Sequence, residues 1–260
     1  MVLTLRQLQP RDLAWDGCLN VRDLGGLPTR DGGETQFAAV VRADSVRALS
    51  AAGWEALVAH GIRTVIDLRG DHERAEDRPA ELPAEIEVVP VPFMEASAAE
   101  WEEIEGELDA AVAAAPDVAT ATRDVYLIFL ERFRSNAAEA VRAVATAPAG
   151  GVVIHCAGGK DRTGLLSAFL LHLAGVDDEV ISVDYALSEE RLRPRHEAWF
   201  EAAETEEELE RLRRMAQTPA ASMAGVFTEL ERRYGGVESY LRGAGVTNEE
   251  IELVRTRLRG

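Results

Sequence analysis

Two residues able to do chemistry, Cys156 and Arg162, are separated by Ala157-Gly158-Gly159-Lys160-Asp161. A thiol acts as a nucleophile in its thiolate form, and a helix N-terminus or a neighbouring guanidinium promotes that ionisation. Before the cysteine, Val152-Val153-Ile154-His155 reads as a short buried strand. After the arginine, the apolar run from Thr163 to Leu173 reads as a buried helix. Strand, tight loop and helix N-terminus aim successive backbone N–H groups at one spot and make an anion cradle. Gly158 and Gly159 permit that close approach, having no Cβ. A thiolate at the floor of such a cradle is placed to attack phosphorus. The Arg162 fork would hold two equatorial oxygens of the phosphoryl group as charge builds, and Thr163 could hydrogen-bond the sulfur. Singly, each residue has an ordinary use: a buried small thiol, a surface cation, a turn. Their conjunction between a strand and a helix points to chemistry.

The run His155-Cys156-Ala157-Gly158-Gly159-Lys160-Asp161-Arg162-Thr163-Gly164 resembles the signature loop of the cysteine-dependent protein tyrosine phosphatase superfamily. Its Lys160-Asp161 pair resembles a bacterial subgroup, the PtpB-like phosphatases, some of which also act on phosphoinositides. The resemblance extends over nearly the whole chain. It takes in Asn20-Val21-Arg22-Asp23-Leu24-Gly25-Gly26, Val41-Arg42-Ala43-Asp44, Ile66-Asp67-Leu68-Arg69 with Glu73, Pro90-Val91-Pro92-Phe93, Asp184-Tyr185-Ala186-Leu187-Ser188, and Tyr234 to Leu241. It implies a cysteinyl-phosphate mechanism with no cofactor and no metal. It also implies a phosphorylated protein or phosphoinositide substrate, with inorganic phosphate as product and inhibitor. Arg22, Asp67 and Arg69 join His155, Ala157, Gly158, Gly159, Lys160, Thr163 and Gly164 as expected substrate-binding residues.

A phosphate ester also needs a proton on its leaving oxygen, which a carboxyl group at hydrogen-bond reach supplies. In the PtpB-like group an aspartate shortly after the strand matching Val89 to Phe93 is a candidate, and this chain has Glu95 there. Asp161 is the other candidate, with a structural alternative as a carboxylate that pins the loop or pairs with Arg42, Arg69 or Lys160; Asp67 is a lesser third. Lys160, the only lysine of the chain, reads as a point charge favouring highly phosphorylated substrates, or as a solvated loop residue. Other readings stay open: a catalytically silent phospho-ligand-binding module, a rhodanese or arsenate-reductase type of cysteine enzyme, and a redox switch.

The chain has 260 residues, 47% of them apolar, enough for a substantial core in one globular domain. A formal net charge of −18 argues against nucleic-acid binding. Positive potential is therefore expected in an island where Arg22, Arg42, Arg69, Lys160 and Arg162 converge. Residues 1–10 lack a basic stretch followed by an apolar one, and no segment is apolar enough to span a bilayer, so a cytoplasmic protein without an integral membrane segment is expected. Cys18 and Cys156 alone do not make a disulfide framework; Cys18 reads as a neutral thiol that could protect an oxidised Cys156 if the fold joins them. The five histidines are scattered, without metal-ligand spacing.

Strands are expected at 39–42, 63–68, 86–91 and 151–156, alternating with helices, which gives an α/β fold with a mostly parallel central sheet flanked by helices. Ligands in such folds gather beyond the carboxyl ends of the strands. Ser50 is expected to cap a helix over 51–60, and 121–146 shows helical spacing throughout. Helical insertions are expected at 95–120 and 196–225. The resemblance implies that the helical pair around 196–216 forms a lid, against the alternative of an ordinary solvated helix on the core. Near the C-terminus, Thr247 and Glu250 form a capping-box pattern.

Overall fold

A computed structural model of the protein describes residues 11–77 and 82–260. The four expected strands are present within a residue or two: β2 Val40–Ala43, β3 Ile62–Asp67, β4 Glu87–Pro90 and β5 Gly151–His155. A fifth, β1 Arg22–Asp23, is too short for periodicity to register. The sheet order is β1-β2-β5-β3-β4; β1 runs antiparallel to β2 and every other pairing is parallel. Parallel neighbours place the carboxyl ends of β2, β5 and β3 on one edge, bringing Asp44, Cys156 and Leu68 side by side.

Twelve α-helices surround the sheet among the described residues: α1 Ala51–Ala59, α2 Asp71–Ala75, α3 Ala98–Ala114, α4 Val118–Arg132, α5 Arg134–Thr146, α6 Arg162–Leu173, α7 Asp178–Arg191, α8 Arg193–Ala202, α9 Glu206–Ala216, α10 Ala220–Tyr234, α11 Val237–Gly243 and α12 Asn248–Arg259. The local signals act as expected. Ser50 accepts from the Gly53 N–H at the start of α1, and Thr247 with Glu250 closes a capping box on α12. The stretch 121–146, expected as one helix, is two. The chain breaks at Phe133 (φ −114°, ψ 33°), whose ring enters the core beside Trp101. Burial of that ring outweighs helix continuation, with no glycine or proline to announce the break.

Side chains alternate across the sheet. Val40, Ile66, Val152, Ile154 and Cys156 join the large core beneath α3–α7 and α10–α12, while Val41, Ala43, Val65 and Val153 join a smaller one with Trp15, Trp54 and Leu57 of α1. A register shift between Ile62 and Thr64 puts Ile62 on the same face as Val65, which strict alternation forbids. Cys18 packs against the smaller core and Cys156 lies in the larger. Cys18 Sγ instead donates to the Ser45 carbonyl at 3.4 Å. Burial and Asp44 raise the Cys18 thiol far above its ordinary pKa, so it stays protonated. The expected insertion at 95–120 is mainly α3, which packs on α4 with Ile104 buried. Residues 1–10, on which the reading of the leader rested, lie outside the described residues. No described helix is long and apolar enough to cross a membrane.

Candidate active site

The loop from Cys156 to Asp161 links β5 to α6, a helix almost wholly buried, so its N-terminal dipole is directed at the loop from inside the protein. Cys156 is 2% exposed. The two loop glycines are not equivalent. Gly159 has φ +64°, and a Cβ there would lie 2.4 Å from the Ala43 carbonyl oxygen, whereas a Cβ on Gly158 would meet nothing nearer than Arg195 Nη1 at 3.7 Å. Only Gly159 is required by the backbone. Gly164 lets α6 approach the Tyr185 ring, 3.1 Å from where its Cβ would be.

Arg162 is gripped by Glu73 of α2 through both terminal nitrogens, with 2.8 Å from Nη2 to Oε1 and a shorter contact from Nη1 to Oε2. Burial disfavours the Arg162 charge, but Glu73, Cys156 and Asp161 more than offset it, and its pKa is raised. Burial likewise opposes the Glu73 charge, and Arg162 with the Gly70 N–H overcomes it, so that carboxyl stays below its ordinary range. The Nε–H and outer hydrogens of the guanidinium are left for a ligand. Glu73 carried no signal in the sequence beyond its place in the resemblance.

The Asp161 side chain is 45% exposed. Its Oδ1 accepts a 2.6 Å hydrogen bond from Tyr126 of α4 and lies 3.6 Å from the Lys160 ammonium. Tyr126 is itself 2.8 Å from the Tyr185 hydroxyl, and burial together with Asp161 holds the Tyr126 hydroxyl well above its ordinary pKa, so it remains a donor. Glu95 is exposed and accepts from the Asp71 N–H at 3.2 Å, at the start of the helix that carries Glu73. Asp161 thus belongs to the loop itself, whereas Glu95 is tied to the N-terminus of α2, the helix whose Glu73 grips Arg162.

Thr163 is fully buried, and its hydroxyl has no hydrogen-bond partner in the described structure. His155 Nδ1 lies 3.3 Å from the Cys156 carbonyl, while Nε2 is 3.6 Å from Asp67, too long for a hydrogen bond. Burial lowers the His155 pKa, so the ring is neutral and its pairing with Asp67 weak.

Three expected ligand residues lie elsewhere than at the mouth. Asp67 is buried and clasped by Arg69, with Nε and Nη2 at 3.0 and 2.8 Å. Burial works against its charge, but the hydrogen bonds from Arg69 keep its carboxyl below the ordinary range, which makes it a poor proton donor at neutral pH. Arg69 is shared between Asp67 and Asp77. Arg22 is fully buried: Nη2 donates to the Asp184 carbonyl at 2.7 Å and Nη1 to Asn20 at 2.5 Å. These residues face carboxylates inside the protein because an unpaired buried charge is too costly. The expected cationic island is accordingly neutralised in part. Asp184 alone is reached by Arg11, Arg22 and Arg42, which overcome its burial and depress its pKa far below the ordinary range. Among the described residues, no three His, Cys, Asp or Glu side chains gather as a metal set.

The helical pair α8–α9 rests against the loop through polar contacts. Arg195 of α8 donates to the Ala157 carbonyl at 3.2 Å and to Asp44 at 2.6 Å, and Lys160 donates to the Met215 carbonyl near the end of α9 at 2.6 Å. Only His196 is buried in α8 and only Ala216 in α9. The solitary lysine is thus turned to a helix C-terminus, a favourable place for a cation.

The sequence model of the tyrosine phosphatase family matches residues 13–260. A tyrosine-protein phosphatase of Nostoc commune is 30% identical over 141 residues, 52% of this chain and 48% of that one. A Cupriavidus necator protein, named provisionally as a tyrosine-protein phosphatase, is 33% identical over 181 residues, 69% of this chain and 64% of that one. The triple specificity protein phosphatase PtpB of Mycobacterium tuberculosis is 29% identical over 275 residues, 94% of this chain and 98% of that one. The match thus spans about half to two thirds of the first two relatives and nearly all of the third. With a cysteine and an arginine bracketing a loop between β5 and α6, and a family match running from residue 13 to the C-terminus, this chain belongs to the tyrosine phosphatase family.

Proposed function

We propose that this phosphatase hydrolyses phosphomonoesters in two steps without a metal, with phosphotyrosine as its main substrate class. The observation that carries this reading is the buried Cys156 at the root of a loop whose far end holds Arg162 in the grip of Glu73. In the first step the Cys156 thiolate attacks phosphorus, the S–P bond forms, and the P–O bond to the leaving group breaks. Arg162 and the loop amides hold the equatorial oxygens, and a carboxylic acid gives its proton to the departing oxygen. In the second step that residue, now a carboxylate, takes a proton from water. The hydroxide attacks phosphorus, the S–P bond breaks, and inorganic phosphate leaves with the thiolate restored. The unpartnered Thr163 hydroxyl suits it to steady the sulfur as it leaves.

Asp161 is the better-supported acid, because Tyr126 anchors one carboxyl oxygen and leaves the other free to carry a proton toward the leaving group. Glu95 is the competing assignment, since its carboxylate accepts from the Asp71 N–H at the start of α2, the helix that carries Glu73. We assign the whole chain to one phosphatase domain in the cytoplasm and α8–α9 to a lid over the loop. Activity toward phosphoserine, phosphothreonine and phosphoinositides belongs to the same proposal, supported by the likeness to a relative named for triple specificity.

The test is hydrolysis of phosphotyrosine, phosphoserine and phosphoinositide substrates by the wild type and Cys156→Ser, without added metal. Activity is expected in the first and loss in the second. Equal activity in both would sink the mechanism, and phosphate binding without turnover by the wild type would favour a silent binding module. Asp161→Asn and Glu95→Gln identify the acid: the true one loses most activity on poor leaving groups and little on an activated aryl phosphate.

A further inference from the structure

An anion cradle requires its peptide units to be turned one way, N–H inward and C=O outward, and a buried outward carbonyl needs a donor. All three central carbonyls of this loop have one. The Ala157 oxygen accepts from the Ser45 N–H at 3.3 Å and from Arg195, and the Gly159 oxygen accepts from Arg42 Nη2 at 2.8 Å. Asn20 Nδ2 reaches two successive carbonyls at once, those of Gly158 and Gly159, each at 3.1 Å. Because a trans peptide is planar, each carbonyl held outward sends the N–H of the next residue the opposite way. The N–H groups of Gly158, Gly159 and Lys160 have no acceptor within the described structure, so the loop holds satisfied carbonyls on one side and idle donors on the other.

Asn20 is built to serve as this holder. It is fully buried, its N–H is fixed by Asp44 at 2.9 Å, and its Oδ1 accepts from Arg22 at 2.5 Å. With a donor on one side and two acceptors on the other, its amide can be oriented in only one way. We infer that Asn20 is a positioning residue of the phosphatase, setting the polarity of the loop amides that bind phosphate and stabilise the Cys156 thiolate. The inference rests on the phosphatase reading above.

The variants Asn20→Asp and Asn20→Leu test it. Aspartate keeps the acceptor toward Arg22 and loses only the donor toward the loop; leucine loses both and adds no charge. Each is compared with wild type for inhibition by inorganic phosphate, for the pH profile of Cys156 alkylation by iodoacetamide, and for melting temperature. In both variants phosphate affinity is expected to fall about tenfold, and the alkylation midpoint to rise by about one pH unit, a tenfold loss of thiolate. A merely structural asparagine would lower the melting temperature and leave the alkylation midpoint where it was. Wild-type phosphate affinity and alkylation in either variant that folds overturns the proposal, as does a shift confined to Asn20→Asp when Asn20→Leu also folds, since that would be the added charge. Should Asn20→Leu not fold, phosphate affinity and alkylation in Asn20→Asp decide. Should the wild type itself neither bind phosphate nor hydrolyse an aryl phosphate, the phosphatase reading falls, and this inference with it.

Discussion

Replacing Glu73 by glutamine tests whether Arg162 works because it is held. The two side chains are 16% and 22% exposed and share two charge-assisted hydrogen bonds, each worth about 1.5–3 kcal/mol. Glutamine keeps one acceptor oxygen and presents an NH2 group to the other guanidinium nitrogen, so one bond and the charge attraction are lost. Solvent reaches both groups, which sets the loss at the low end, about 1.5–2 kcal/mol. If that energy fixes Arg162 for the transition state, kcat/KM falls about 10- to 30-fold. The assay is steady-state hydrolysis of p-nitrophenyl phosphate, with vanadate inhibition and melting temperature measured alongside. The loss should lie mainly in kcat and in vanadate affinity, because an unheld arginine still meets the ground-state phosphate. A folded Glu73→Gln enzyme with kcat/KM within about twofold of wild type would refute the reasoning, since a loss of even 1 kcal/mol exceeds that factor.

Tyr126→Phe removes the anchor of Asp161; kcat should drop roughly 3- to 10-fold on alkyl phosphates, matching one hydrogen bond, and stay near wild type on p-nitrophenyl phosphate, and an equal drop on both would remove Asp161 from the acid role. Gly159→Ala, with φ +64° and the Ala43 carbonyl in the way, should cost about 3 kcal/mol and roughly 6–12 °C of melting temperature. Gly158→Ala should stay within about 2 °C of wild type, and equal shifts would show that the loop lacks this backbone. The pH dependence of stability has a definite sign. His155 is depressed when folded by burial, so stability is full above the unfolded value near 6.5 and is lost as pH falls through the folded pKa. Asp67 and Glu73, depressed by their arginines against the effect of burial, add a second loss below about pH 4. A melting temperature followed from pH 8 to 3 should therefore decline in two stages, with His155→Gln flattening the first; no change in the wild type between pH 7 and 5 would contradict a buried neutral His155.

The strands were legible because each is a short apolar run ending near a charged or turn residue. The cradle was legible because Cys156, Gly159 and Arg162 are close in sequence, and local chemistry limits what such a loop can do. Long-range pairing was not legible. Arg22 is expected as a ligand through the resemblance, yet its carboxylate partner, Asp184, lies 162 positions away, and Glu73 lies 89 positions from Arg162. Tyr126 is not singled out by the sequence, and only the fold brings its hydroxyl on α4 to Asp161 and to Tyr185 of α7. The break at Phe133 escaped for the opposite reason: its apolar spacing fits either one helix or two.

The three arginines around Asp184 have a kinetic consequence. They set three guanidinium groups against one carboxylate behind the loop, inside a molecule whose formal charge is −18. A phosphorylated substrate must therefore cross a repulsive outer field before it meets an attractive well. Salt screens exposed charges over about 8–10 Å and buried ones much less, so added electrolyte lowers the outer hill more than it fills the well. Encounter with a dianion should quicken as ionic strength rises through the low range, the reverse of the usual behaviour of enzymes that steer their substrates by opposite charge.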